Sequence, residues 1–119
     1  MAQILVAEDD AQLRNFLVRM LQRAGYHVRA AENGSQAVEM LAEIKVDLLL
    51  ADVTMPGLDG FELAKQCSRH NPNVQIMFIT GFAAVALNSD SEAPKNAKVL
   101  AKPVHLRELV SEVNKMLAA

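Results

Sequence analysis

Five short apolar runs punctuate the chain: Ile4 to Ala7, Val28 to Ala31, Val46 to Ala51, Val74 to Ile79 and Lys98 to Ala101. Each has the length of a strand and little polar alternation, which predicts strands covered on both faces. Between them, Leu13, Phe16, Leu17, Met20, Leu21 and Ala24 recur at helical spacing, as do Ala37, Val38, Leu41 and Ile44. Leu106, Leu109, Val110, Val113 and Leu117 repeat the pattern at the end of the chain. Each set predicts a helix with one apolar stripe.

The punctuation agrees with this alternation. Gly25 closes the first helix, Asn33-Gly34 predicts a turn, and Asp59 followed by Glu62 starts the third helix. The segment His70-Asn71-Pro72-Asn73 stops that helix. A fourth helix falls in "FAAVALNSDSEAP", where Asn88, Ser89, Asp90 and Ser91 compete for the backbone and Pro94 ends it, so it is expected to be short or mobile. Five strands alternating with five helices predict an α/β fold, a doubly wound parallel sheet covered by helices on both faces. One domain spanning residues 1–119 is expected, with no room for an output domain.

Composition narrows the function classes. The 12 Lys+Arg and 14 Asp+Glu leave a net charge of −2 with no basic block, which argues against nucleic acid or anionic membrane as a partner. No apolar run reaches the roughly 18 residues of a membrane span, and "MAQILVAEDD" lacks the basic start of a secretory signal. A cytoplasmic protein is expected. Cys67 is the only cysteine and reads as a small buried hydrophobe on a helix. His27, His70 and His105 have no metal-ligand spacing and read as surface or capping residues.

The chemistry lies where strands end. In open α/β sheets, ligands bind beyond the carboxyl ends of the strands, where the strand order reverses. Asp52 closes the run "LLLAD", and Glu8-Asp9-Asp10 closes the first strand, so the fold brings these acids to one edge. Carboxylates about 4 Å apart repel by about 4 kcal/mol per pair at an effective dielectric near 20. A hard divalent cation offsets that repulsion, and an incomplete all-oxygen cage favours Mg²⁺. Thr80 and Lys102 end the fourth and fifth strands at the same edge. Acids for a metal, a hydroxyl and a cation suit an aspartate that is itself phosphorylated: Asp52 attacks phosphorus, Mg²⁺ and Lys102 neutralise the phosphoryl charge, and Thr80 hydrogen-bonds a phosphoryl oxygen. Each residue alone has a plainer reading as a turn former, a β-branched strand residue or a solvated lysine. Their joint placement at successive strand ends outweighs those readings.

The stretches "ILVAEDD", "LLLADVTMPGLDG", "FITG" and "LAKP" resemble the receiver domain of two-component response regulators, and the resemblance covers essentially the whole chain. It implies the flavodoxin-like, CheY-like fold with strand order 2-1-3-4-5. It also implies Asp52 as phospho-acceptor, Asp9 as a direct Mg²⁺ ligand, Glu8 acting largely through metal-bound water, and the Thr54 carbonyl as a further ligand. Thr80 and Lys102 would contact the phosphoryl group, and the Lys102-Pro103 bond would be cis. The phosphodonor would be a histidine kinase or a histidine phosphotransfer protein. The chain would not be an enzyme beyond self-catalysed transfer and slow autodephosphorylation, and its charge change would reshape the face of the fourth helix, fifth strand and fifth helix.

Two positions depart from the family pattern. Val99 stands where the switch aromatic is usual, and Val104 where a Phe usually follows Lys-Pro. Phe82 and the polar fourth helix are therefore expected to carry the switch. Val18, with Ala11, Arg14 and Asn15, marks the face of the first helix where a histidine-bearing helix would dock. Among stand-alone receivers the chain is similar to adaptors of the CpdR type, which link phosphorylation to proteolysis by ClpXP, and the terminal Leu117-Ala118-Ala119 resembles tails recognised by that protease. Motor binding and phosphorelay shuttling are other outputs of such receivers. A flavodoxin would need a phosphate loop in place of "AEDDAQLR", and an aspartyl phosphatase a second Asp at Thr54. The remaining alternative is an interaction module of the same fold that works without phosphorylation.

Overall fold

The computed structural model describes residues 2–81 and 97–118. In chain order they form β1 (Gln3–Ala7), α1 (Ala11–Arg23), β2 (His27–Ala31), α2 (Gly34–Leu41), β3 (Leu48–Asp52), α3 (Gly60–His70), β4 (Gln75–Thr80), β5 (Lys98–Ala101) and a last helix, α4, over Leu106–Leu117. All strand pairs are parallel, in the order β2-β1-β3-β4-β5. The chain moves out from β1 to β2 and then back past β1 to β3. With crossovers of one hand, that reversal puts α1 and α2 on opposite faces of the sheet. The fourth helix expected between β4 and β5, with Phe82, lies outside the described residues, so the helix α4 is the fifth of the sequence expectation.

Alternation along each central strand divides the core into two layers. Leu5, Leu49, Ile76 and Phe78 face the α2 and α3 side, where Ala37, Leu41, Leu63 and Cys67 pack. Ile4, Val6, Leu48, Leu50, Met77 and Ile79 face the α1 and α4 side, against Leu17, Leu21, Leu109 and Val113. Each Leu or Ile removed from water in this way contributes about 1.5–3 kcal/mol. β1, β3 and β4 are buried on both faces as the apolar runs predict. The edge strands are not: in β2, His27 and Arg29 are exposed, and in β5, Lys98 and Ala101 are.

Local differences from the sequence expectation have simple causes. Asn33 caps α2 by accepting from the Gln36 N–H, so Asn33-Gly34 opens a helix and does not form a free turn. α2 ends at Leu41, and Ile44 packs on the core from beyond its end. Gly25 leaves α1 at φ 101°, a conformation that favours glycine. Phe16 and Leu106, read as members of buried stripes, are 37% and 41% exposed. Val18 is half-buried against the α1 and α4 layer, while Ala11 and Asn15 on its face of α1 are exposed.

Candidate functional site

The register of the sheet builds the site. Ala7 pairs with Ala51, so Glu8 and Asp52 each follow one member of the last pair between β1 and β3. Thr80 ends β4 opposite Ala101, and its carbonyl accepts the Lys102 N–H at 2.9 Å. Glu8, Asp52 and Thr80 are the buried polar or charged residues among those described, each at the carboxyl end of a strand. The Lys102-Pro103 bond is cis.

Hydrogen bonds fix the carboxylates. Lys102 Nζ donates to Asp52 Oδ2 at 2.8 Å, and the Thr54 backbone N–H donates to Asp52 Oδ1 at 3.0 Å. Thr54 thus has its main chain at the Asp52 carboxylate. Glu8 Oε2 accepts from the Asp10 N–H at 3.1 Å, while Glu8 Oε1 is buried with no hydrogen-bond partner and stands 3.5 Å from Lys102 Nζ. One carboxylate oxygen from each of Glu8, Asp9 and Asp52 lies within 4.8 Å of the other two. Sequence spacing grouped Asp10 with these acids, but its side chain accepts from the Gln12 and Leu13 N–H groups as the cap of α1. Its carboxylate is committed to the helix end.

The electrostatics follow from burial and proximity. Burial pushes the Glu8 carboxyl up to about 7, an effect that the nearby Asp9 and Asp52 add to. Burial would lower the Lys102 ammonium, but its hydrogen bond to Asp52 and the charges of Asp52 and Glu8 outweigh that and hold it above its ordinary value. One ammonium therefore serves two carboxylates. A third acid, Asp9, is exposed beside them. A buried carboxylate oxygen that lacks a hydrogen bond, among three hard oxygen donors, fits a divalent cation of the Mg²⁺ or Ca²⁺ class.

Two supporting contacts were not legible in the sequence. Arg14, placed by the sequence on an open face of α1, sends Nη1 to the Glu8 carbonyl at 2.9 Å, and its side chain is only 14% exposed. It anchors the main chain from which the acids project. Gly60, the first residue of α3, lies so close to β3 that a Cβ there would meet the Asp52 carbonyl oxygen at 2.3 Å. Its N–H also donates to the Val53 carbonyl at 3.1 Å, which closes the loop beneath the Asp52 carboxylate. Val99, at the aromatic position of the family pattern, pairs in register with Phe78 and packs partly buried on the α2 and α3 layer. Val104 packs on the opposite layer.

Residues 4–114 match the response regulator receiver domain family. The chain is 57% identical, over all of its length and 99% of the other protein, to the response regulator receiver protein CpdR of Brucella abortus. Its fold superposes on a response regulator receiver protein of Sinorhizobium medicae with a TM-score of 0.90 at 31% identity, covering 99% of this chain and 95% of that one. It superposes on the response regulator TrrA of Thermotoga maritima, solved in complex with Mg²⁺-BeF, with a TM-score of 0.86 at 30% identity, covering 98% and 100%. Strand order, strand-end acids and these likenesses agree, and the chain belongs to the response regulator receiver domain family.

Proposed function

We propose that this chain receives a phosphoryl group on Asp52 from a phosphohistidine of a histidine kinase or histidine phosphotransfer protein, with Mg²⁺ held by Glu8, Asp9, Asp52 and the Thr54 carbonyl. The observation that carries this reading is the meeting of Asp52, Lys102 and the buried Glu8 oxygen that lacks a hydrogen bond at the ends of β3, β5 and β1. An Asp52 oxygen forms the new bond to phosphorus as the bond from phosphorus to the donor imidazole nitrogen breaks, leaving an acyl phosphate and a neutral histidine after proton uptake. Lys102, already on Asp52 Oδ2, follows the developing charge onto the phosphoryl oxygens, and the Thr80 hydroxyl adds a hydrogen bond. Bound Mg²⁺ supplies charge neutralisation at the transferring group. Water later hydrolyses the anhydride, so the chain completes its own cycle without acting on another substrate.

The output is a protein partner in the cytoplasm. Among the described residues no helix is long and apolar enough to cross a membrane. The 57% identity with CpdR supports a role as an adaptor in regulated proteolysis, with ClpXP as the partner to examine. Incubation with Mg²⁺ and acetyl phosphate, followed by intact-mass measurement, tests the first step. Wild type gains one phosphoryl mass and Asp52→Ala gains none; a folded wild type that gains none would favour an interaction module independent of phosphorylation.

A further inference from the structure

A groove of about 650 Å³ runs along α4 and is walled at one end by the last turn of α1. None of Glu8, Asp9, Asp52, Thr80 or Lys102 lines it. Its apolar floor comes from Met20, Ala24, Leu106 and Val110. Leu106 is one of two large hydrophobic residues exposed among those described. The other, Phe16, lies one helical turn before Met20 on the same face of α1, so both exposed apolar side chains border one surface. Such clustering marks an interaction site more readily than isolated exposed residues do.

The charge around the floor has one sign. Arg23, Arg107 and Lys115 line the groove and no acidic residue does. Lys115 stands 4.0 Å from Glu112, which is itself closer to Lys98, whereas Arg23 and Arg107 have no ion pair among the described residues. An apolar trough between unpaired guanidinium groups complements an amphipathic helix with Asp or Glu flanking its apolar stripe. A second copy of this chain is a poorer match, because the same cationic rim would face itself across a two-fold axis. We infer that this groove between α1 and α4 docks an acidic amphipathic helix of a separate protein partner, at a surface distinct from the acidic site.

Two helical peptides of about 18 residues, long enough to hold a helix, test this inference. Both carry Leu at i, i+4 and i+7, one with Glu flanks and the other with Lys flanks. Titration of the ¹⁵N-labelled full chain should shift amides of residues 16–24 and 106–115 with the Glu peptide, and the Lys peptide should bind at least tenfold more weakly. Arg23→Glu with Arg107→Glu should reverse that order, while each variant still gains phosphoryl mass from acetyl phosphate as wild type does. Retained phosphorylation separates failure of this inference from failure of the receiver reading. Equal binding of the two peptides, shifts that map elsewhere, no binding, or self-association through these residues would overturn it.

Discussion

Lys102 and Asp52, 50 residues apart in sequence, meet at 2.8 Å between Nζ and Oδ2, and the same ammonium stands 3.5 Å from Glu8 Oε1. The lysine is thus a structural counter-ion to both carboxylates. Replacing it with Met leaves two buried carboxylates facing one another, a change that costs about 3–5 kcal/mol for a fully buried pair. The Lys102 side chain is 31% exposed, so solvent screening reduces the expected loss to about 1–3 kcal/mol. Denaturant unfolding of Lys102→Met should show that loss without Mg²⁺ and a smaller one with it, and phosphoryl gain from acetyl phosphate should slow by at least about tenfold.

Adjacent acids should separate cleanly by role. Asp9 joins the carboxylate cluster and Asp10 caps α1. Mg²⁺ at ten times its dissociation constant should stabilise wild type by about 1.4 kcal/mol. Asp9→Asn should abolish that increment. Asp10→Ala should lower stability by about 1 kcal/mol through the lost cap and retain the Mg²⁺ response. Thermal melts of both variants with and without Mg²⁺ decide the matter; an unchanged Mg²⁺ increment in Asp9→Asn would remove Asp9 from the ligand set.

Metal binding should depend on pH through Glu8. Its carboxyl is raised from 4.5 to about 7 by burial, so between those values the native state keeps a proton that the unfolded chain has released. The sign follows: this contribution to stability is whole below the unfolded value and is lost as pH rises through about 7. A cation competes with the same proton, so Mg²⁺ affinity should climb with pH, by up to about tenfold per unit below 7, and level off above it. Calorimetric titration across that window should show the climb in wild type and a flatter profile in Glu8→Gln.

Gly60→Ala should damage the site from beneath. The added Cβ would lie 2.3 Å from the Asp52 carbonyl oxygen and 3.0 Å from Val53 Cα, both main-chain atoms with little room to yield. A destabilisation of about 1–3 kcal/mol is expected, with a larger fall in the phosphorylation rate than stability alone explains. Ala at Gly57, where φ is 78° and no atom crowds the Cβ position, tests backbone conformation without that clash.

That Glu8, Asp9, Asp52, Thr80 and Lys102 sit at strand ends could be read from the chain because apolar runs mark where strands stop, whereas the order of the strands was implied only by the resemblance to receiver domains. What escaped depends on single contacts. Spacing alone in "AEDDAQLR" does not tell which Asp caps the helix and which joins the carboxylate cluster, since Asp serves both purposes. Arg14 has the spacing of a surface residue, and only the approach of α1 to β1 turns it onto the Glu8 carbonyl. Edge exposure in β2 and β5 escaped because an apolar run reads alike at the rim and in the middle of a sheet. Phe16 and Leu106 have the period of core residues, yet both remain exposed, because period alone does not tell the rim of an apolar stripe from its centre.

The start of α1 at Ala11, two residues after Asp9, has a bearing on how long an ion stays. The peptide dipoles of that helix sum to partial positive charge at its first turn, which opposes a cation lodged next door, and the Asp10 carboxylate offsets only part of it. An ion in this cup is therefore held less tightly than its carboxylates alone would hold it, and its occupancy tracks the free concentration outside.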